Sequence, residues 1–145
     1  MRSLAPGVLV GMLACGGGED PPLGLVDGRL QPCHESPNCV LSQGAEDDSH
    51  RIAPLALGSD PDAGWKALRD LVANTDGTII LDESEGYLHA RCTTAILRFH
   101  DDLELLLDPE AGVVQVRSAS RVGRSDLGTN RRRVEALRAR WAARP

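Results

Sequence analysis

The feature that most constrains the fold is a series of four strand-like segments between residues 78 and 121. Apolar and polar residues alternate in the second of them, at 87–94, which is typical of a strand with one buried face. Polar, Gly-containing segments at 82–86 (DESEG) and 108–112 (DPEAG) predict turns. Such short connections favour antiparallel pairing, because a parallel pair needs a long crossover. We therefore predict a four-stranded antiparallel meander with strands at 78–81, 87–94, 97–107 and 113–121.

A helix is expected on each side of this meander. Asp60 can cap the first helix, and Pro61 fits its first turn. The second helix is expected to begin between Ser125 and Thr129. Each helix carries an apolar stripe: Trp65, Leu68, Leu71 and Val72 in the first, and Val134, Leu137 and Trp141 in the second. The order predicts the α+β class, with a four-stranded antiparallel meander packed by two helices.

The first 22 residues resemble an export signal. Arg2 precedes a short apolar stretch, so residues 1–14 are interpreted as a signal peptide. Cys15 follows Ala14 as in the bacterial lipobox, where the Cys receives lipid, and residues 15–22 would form a flexible leash. An ordinary signal peptide or a wrongly assigned start codon are the alternatives. This pattern predicts an exported cell-envelope protein, anchored by lipid to a membrane on its periplasmic or extracellular face.

The remaining cysteines predict one disulfide. Cys33 and Cys39 enclose a turn-rich stretch, and export favours oxidation. We expect a Cys33–Cys39 disulfide that staples an irregular N-terminal arm, with residues 23–145 forming a single globular domain. A redox-active pair beside His34 is the alternative, although its spacing does not resemble the short redox motif. Cys92 alternates with apolar residues and is expected to be buried.

Charge is divided unequally along the chain. The full sequence has 16 Lys and Arg against 21 Asp and Glu. Residues 117–145 hold nine of the arginines but only Asp126 and Glu135. Either acidic and basic groups neutralise each other across the fold, or the arginines bind an anion or an acidic partner. Only four aromatic residues are present, which argues against a nucleic-acid partner.

The C-terminal strand–turn–helix junction is the candidate ligand site. A helix N-terminus favours an anion, and arginines can supply forked donors. Alternatively, Asp126 and Ser125 cap the helix, while the arginines pair with Asp101, Asp102 or Glu104. Buried Asn130 would either tie the helix to the arm or line a small site. The candidate ligand-binding residues are Asn38, Arg117, Ser118, Ser120, Arg121, Ser125, Asp126, Asn130 and Arg131.

Three parts of the chain resemble the motifs of domain of unknown function family 1499. They are GRLQPC with SPNCVLSQ at 28–33 and 36–43, GYLHA with DDLE at 86–90 and 101–104, and RSASRVGRSDLGTNRRRVE at 117–135. Arg124 stands where an aromatic residue is common in similar sequences, and Leu41 and Cys92 are also atypical. The resemblance implies a small exported or organelle-associated domain and no particular reaction.

No catalytic constellation or cofactor motif is evident. The histidines are scattered, so we expect no zinc site, and the acidic residues between 101 and 108 match no cation loop. We expect neither a metal nor a cofactor. The favoured function is a non-enzymatic cell-envelope binding module for an anionic small molecule or an envelope protein. The alternative is an enzyme acting on an anionic envelope substrate, with arginines as electrostatic clamps.

Overall fold

The computed structural model describes residues 22–145. The predicted signal peptide and the lipidation site Cys15 lie outside the described residues. Two helices are present, α1 (Pro61–Ala73) and α2 (Thr129–Ala142). The strands are β1 (Leu25–Val26), β2 (Arg29–Leu30), β3 (Cys39–Leu41), β4 (Leu55–Ala56), β5 (Thr78–Ser84), β6 (Tyr87–Thr93), β7 (His100–Asp108) and β8 (Val113–Ser120).

The main sheet has six strands and not four, so the predicted four-stranded meander is wrong. Its order is β3-β8-β7-β6-β5, and β4 pairs with another part of β8. Cys39 lies opposite Ala119, and Leu55 lies opposite Val114, both in antiparallel register. The two added strands have only three and two residues, too few for an alternating pattern. They cover the edge of β8, which a four-stranded meander would leave unpaired.

The N-terminal arm is also more regular than expected. Residues 23–52, expected to form this irregular arm, contain β3 and also β1 and β2, which form a separate two-stranded antiparallel sheet. The disulfide between Cys33 and Cys39 is confirmed, with a Cα–Cα distance of 5.7 Å. Because Cys39 is the first residue of β3, the disulfide joins the arm directly to the main sheet. The α+β class is confirmed, whereas the irregular arm is not.

Both helices pack on one face of the main sheet. The Asp60 carboxylate accepts a hydrogen bond from the Ala63 N–H, and Pro61 begins α1, as predicted. Between the helices and the sheet lies the main core. Its fully buried residues include Leu55, Leu57, Leu68, Leu88, Leu105, Val114, Val116 and Val134.

The arm contacts the opposite face of the sheet. There it forms a second, smaller apolar cluster of Leu30, Leu41 and Tyr87. The polar side chains between these residues are described below. Cys92 is a free, buried thiol as expected, and burial raises its pKa, which keeps it protonated.

Candidate functional site

Strand β8 divides the predicted site between the two faces of the sheet. Ser118 and Ser120 point to the helices, where both contact Asn130. Arg117 and Arg121 alternate with them along the strand and bind carboxylates on the other face. Most candidate residues therefore fall into two polar clusters. The helix-side cluster is centred on Asn130, and the arm-side cluster contains Arg117 and Arg121 with their carboxylate partners.

Asn130 is the centre of the helix-side cluster and is completely buried. Its Oδ1 accepts from Ser118 Oγ at 2.7 Å and from Arg133 Nη1 at 2.6 Å. Its Nδ2 donates to three acceptors, which are Ser120 Oγ at 2.8 Å, Asp126 Oδ2 at 2.8 Å and the Asn38 carbonyl at 3.2 Å. The last contact ties α2 to the arm, which was one of the two roles considered for Asn130.

The N-terminus of α2 already has an anionic partner, the carboxylate of Asp126. It accepts hydrogen bonds from the backbone N–H groups of Gly128 at 2.8 Å and Asn130 at 2.9 Å. Burial raises the pKa of Asp126, but these bonds and the Asn130 amide outweigh burial and hold the pKa below its usual range. The ionised Asp126 carboxylate therefore stabilises this end of the helix. Capping by Asp126 was part of the alternative to anion binding that we considered from the sequence.

Asn38 connects the disulfide-bonded arm to the segment after β8. Its side-chain amide donates to the carbonyls of Gly123 at 2.9 Å and Val122 at 3.4 Å. Its own backbone carbonyl accepts from the Ser120 N–H at 2.9 Å. The arm and the closing segment are thus fixed to each other by main-chain and side-chain bonds close to the disulfide.

Glu104 and Arg117 form the buried ion pair of the arm-side cluster. Arg117 Nη1 donates to Glu104 Oε2 at 2.7 Å, and both side chains are almost completely inaccessible to solvent. Glu104 Oε1 also accepts from the Tyr87 hydroxyl and from the Gly24 N–H, each at 2.8 Å. Burial and the Glu104 charge raise the pKa of Tyr87, so its hydroxyl stays a donor. The arm thus donates one hydrogen bond, from Gly24, to the buried carboxylate of Glu104.

Asp102 is the second carboxylate of the arm-side cluster. Two nitrogens of Arg121 donate to it: Nη2 to Oδ1 at 2.8 Å, and Nε to Oδ2 at 3.0 Å and to Oδ1 at 3.2 Å. His89 Nε2 lies 2.7 Å from Asp102 Oδ1. Burial raises the pKa of Asp102, but the hydrogen bonds of His89 and Arg121 and the charge of Arg121 outweigh burial and hold the pKa below its usual range.

The remaining predicted site residues take part in other contacts. Arg131 donates to the carbonyls of Arg51 at 2.9 Å and Ser49 at 3.0 Å. Ser125 is exposed, and its hydroxyl accepts from the backbone N–H of Leu127 at 3.3 Å. Sequence reasoning missed Arg133, which pairs with Asp101 and also contacts Asn130. Its position three residues after Asn130 on the helix was the available signal.

Apart from Arg133, the residues of the two polar clusters do not line the cavities that the structure describes. One cavity of about 210 Å³ lies between α1, α2 and the sheet and reaches Cys92. Two others, of about 240 and 220 Å³, lie along the arm. His89, Asp102 and Arg121 line none of these three cavities.

Sequence reasoning also missed a concentration of exposed apolar residues at one end of the sheet. We call this surface, formed by residues 94–99 and 121–128, the loop end. Nine large apolar residues are exposed in the described part of the chain, and the loop end holds five of them. They are Ile96, Leu97, Phe99, Val122 and Leu127.

Residues 22–145 contain neither a cluster of metal-ligating side chains nor a membrane-spanning helix. No group of three or more His, Cys, Asp or Glu side chains in this range could hold a metal ion. No helix of the same range has the length and apolar character needed to cross a membrane.

The described residues thus form an α+β fold with an antiparallel main sheet. A disulfide-bonded arm pairs with this sheet, and buried ion pairs connect its strands. A sequence model of the family described as "Protein of unknown function (DUF1499)" matches residues 29–140. The chain belongs to this family, which confirms the resemblance seen in its motifs. No curated protein and no solved structure matches the chain.

Proposed function

We propose that this protein is a non-enzymatic binding domain of the cell envelope, held at a membrane by lipid on Cys15. It binds its partner through the exposed apolar residues of the loop end and not through the ion-paired arginines Arg117 and Arg121. The observation that carries this proposal is the exposure of five large apolar side chains on two neighbouring loops. Soluble proteins rarely expose large contiguous apolar patches without an interaction that covers them.

The internal pairing of the arginines supports this choice of surface. Arg117 and Arg121 each bind a carboxylate with no solvent exposure, and Arg133 binds the buried Asp101. An anionic ligand at these groups would have to displace carboxylates of the protein itself. Removing one partner of a buried ion pair is costly, so we assign these arginines a structural role.

The enzymatic alternative has less support. It requires a titratable residue that faces the arginines inside a cleft. His89 does lie beside Asp102 and Arg121, but none of the three is part of a described cavity. His89 is also largely buried, which limits its access to a substrate.

The proposed anchoring is tested with the full chain produced in a bacterial host. We expect the wild type in the membrane fraction after a high-salt wash, with a mature N-terminus at Cys15 whose mass includes lipid. Cys15→Ser should instead appear in the soluble exported fraction. Cys92→Ser is the matched control, because this buried thiol should not affect anchoring. Equal membrane retention of wild type and Cys15→Ser would contradict the proposal.

A further inference from the structure

The two loops of the loop end are neighbours because of the pairing of β7 and β8. Residues 94–99 lead into β7, and residues 121–128 leave β8. Asp101 lies opposite Ser120 at this end of the pair, and the Arg121 N–H donates to the His100 carbonyl at 3.4 Å. The apolar residues of both loops therefore belong to one surface.

The side chains of this surface are far more exposed than expected for residues that serve only the core. Ile96 is 90% exposed, Leu127 is 85% exposed and Leu97 is 68% exposed. Val122 and Phe99 follow at 60% and 49%. Such residues gain stability only if another apolar phase covers them.

The first loop holds its apolar tip in a fixed conformation. The Thr94 N–H donates to the Phe99 carbonyl at 2.9 Å, and the Phe99 N–H donates to Thr94 Oγ1 at 2.9 Å. The Arg98 N–H also donates to the Thr94 carbonyl at 3.1 Å, although Arg98 has a positive φ of 57°. These bonds close the turn and order its tip before a partner binds. Binding therefore does not have to include the entropy cost of ordering the tip residues.

Positive charge surrounds the apolar residues. Arg98 and Arg124 are exposed, and neither forms an ion pair with another residue of the described chain. Arg132 is exposed as well, and its Nη1 donates to the Leu127 carbonyl at 2.6 Å. The acidic residue of these loops, Asp126, is occupied by the N-terminus of α2. The exposed charged side chains of the two loops themselves are therefore both cationic.

We propose that the loop end docks on an anionic lipid bilayer. Ile96, Leu97 and Leu127 would enter the acyl boundary, while Arg98 and Arg124 meet phosphate headgroups. Protruding tips suit a deformable lipid surface, since a protein partner would need a matching pocket for each tip. The inference rests on the proposed function, because lipid on Cys15 would hold the domain near the bilayer. The seven residues after Cys15 can span at most about 25 Å, which keeps the domain close to it.

Insertion of the loop end can be measured directly on the lipidated full chain. An environment-sensitive fluorophore is attached to Ile96→Cys, and for comparison to Ala111→Cys in the exposed turn at the opposite end of the sheet. Native thiols do not compete, because Cys33 and Cys39 are joined and Cys92 is buried. The proteins are reconstituted in vesicles of phosphatidylcholine, with or without about one third phosphatidylglycerol. We expect a blue shift and quenching by lipid-borne nitroxide at position 96, stronger with the anionic lipid, and neither at position 111.

A matched pair of substitutions tests the apolar contribution to binding. In the full chain carrying Cys15→Ser, Leu97→Ser should weaken sedimentation with anionic vesicles by about tenfold. Leu81→Ser removes another exposed leucine, 45% exposed against 68% for Leu97, that lies outside the loop end, and it should leave binding unchanged. Arg98→Gln with Arg124→Gln should abolish the preference for anionic over neutral vesicles. Equal binding of the Leu97→Ser and Leu81→Ser chains would overturn the proposal.

The outcomes separate this inference from the proposed function. If the protein is anchored but the label at position 96 stays in water, lipid docking is refuted and anchoring stands. If Cys15 carries no lipid but a label at position 96 of the Cys15→Ser chain is still quenched in vesicles, anchoring fails and docking stands. Protection of position 96 in native membranes but not in pure lipid vesicles would refute the lipid surface and indicate a protein partner.

Discussion

The buried ion pair between Glu104 and Arg117 provides the sharpest test of the structural role assigned to the arginines. Glu104→Gln keeps the shape of the side chain but removes its charge. Gln can still accept from Tyr87 and from the Gly24 N–H, which contact one oxygen of Glu104. Its NH₂ group would face Arg117 Nη1, where the wild type has a 2.7 Å charged hydrogen bond.

The expected cost is large because Arg117 cannot reach water. Loss of one partner of a buried pair typically costs about 3–5 kcal/mol. The total stability of a domain is only about 5–15 kcal/mol, so Glu104→Gln should remove a large part of it. Arg117→Met leaves the carboxylate with two hydrogen bonds, and we expect about 2–4 kcal/mol for it. The double substitution removes both charges and should cost at least about 2 kcal/mol less than the sum of the single ones.

Urea unfolding at neutral pH with the disulfide intact measures these differences, and the buried Trp141 provides the fluorescence signal. Lys66→Met is the control, since Lys66 and Asp70 form an exposed ion pair that should contribute nothing measurable. A Glu104→Gln chain within about 1 kcal/mol of wild type would refute the reasoning. Strict additivity of the two substitutions would refute it as well.

Three further predictions concern other parts of the fold. Asn130→Ala should cost about 1–3 kcal/mol because it leaves buried partners unpaired, and an unchanged unfolding midpoint would contradict this. Asp102 has a lowered pKa in the fold, so the unfolded chain takes up its proton first and stability falls below about pH 4. Asp102→Asn should therefore show a shallower acid limb in stability measured against pH, and an equally steep limb would count against it. Gly64→Ala should destabilise the protein by about 1–3 kcal/mol despite better helix propensity, because a Cβ there would lie 2.5 Å from the Leu57 carbonyl oxygen. A rise in melting temperature for Gly64→Ala would exclude that clash.

Elements with strong local signals could be predicted from the sequence, and those made by tertiary pairing could not. The cap and proline at the start of α1 act through local bonds, so Asp60 and Pro61 located it correctly. Strands β3 and β4 form because they pair with the free edge of β8. Their own residues carry no local pattern that predicts this pairing. The third predicted strand started at residue 97, but Thr94 closes a turn there and β7 begins at His100.

The candidate site shows a different kind of error. Alternation along β8 already implied that Ser118 and Arg117 point to opposite faces, yet the predicted site combined them. The paired carboxylates were foreseen as alternatives, because Glu104 and Arg117 lie on neighbouring strands of a meander. Glu104 lies directly opposite Arg117 because of the register in which β7 and β8 pair. The alternation of residues does not determine this register.

The register also explains what happens to the unequal charge along the sequence. Acidic residues of β7 precede residue 117 and arginines follow it, so pairing β7 with β8 and α2 brings opposite charges together inside the fold. The first of the two charge hypotheses therefore accounts for Arg117, Arg121 and Arg133. Arg98 and Arg124 have no such partner in the described chain and lie beside exposed apolar residues. Salt should separate these two roles, because buried pairs are weakly screened while attraction to an anionic surface falls steeply with ionic strength.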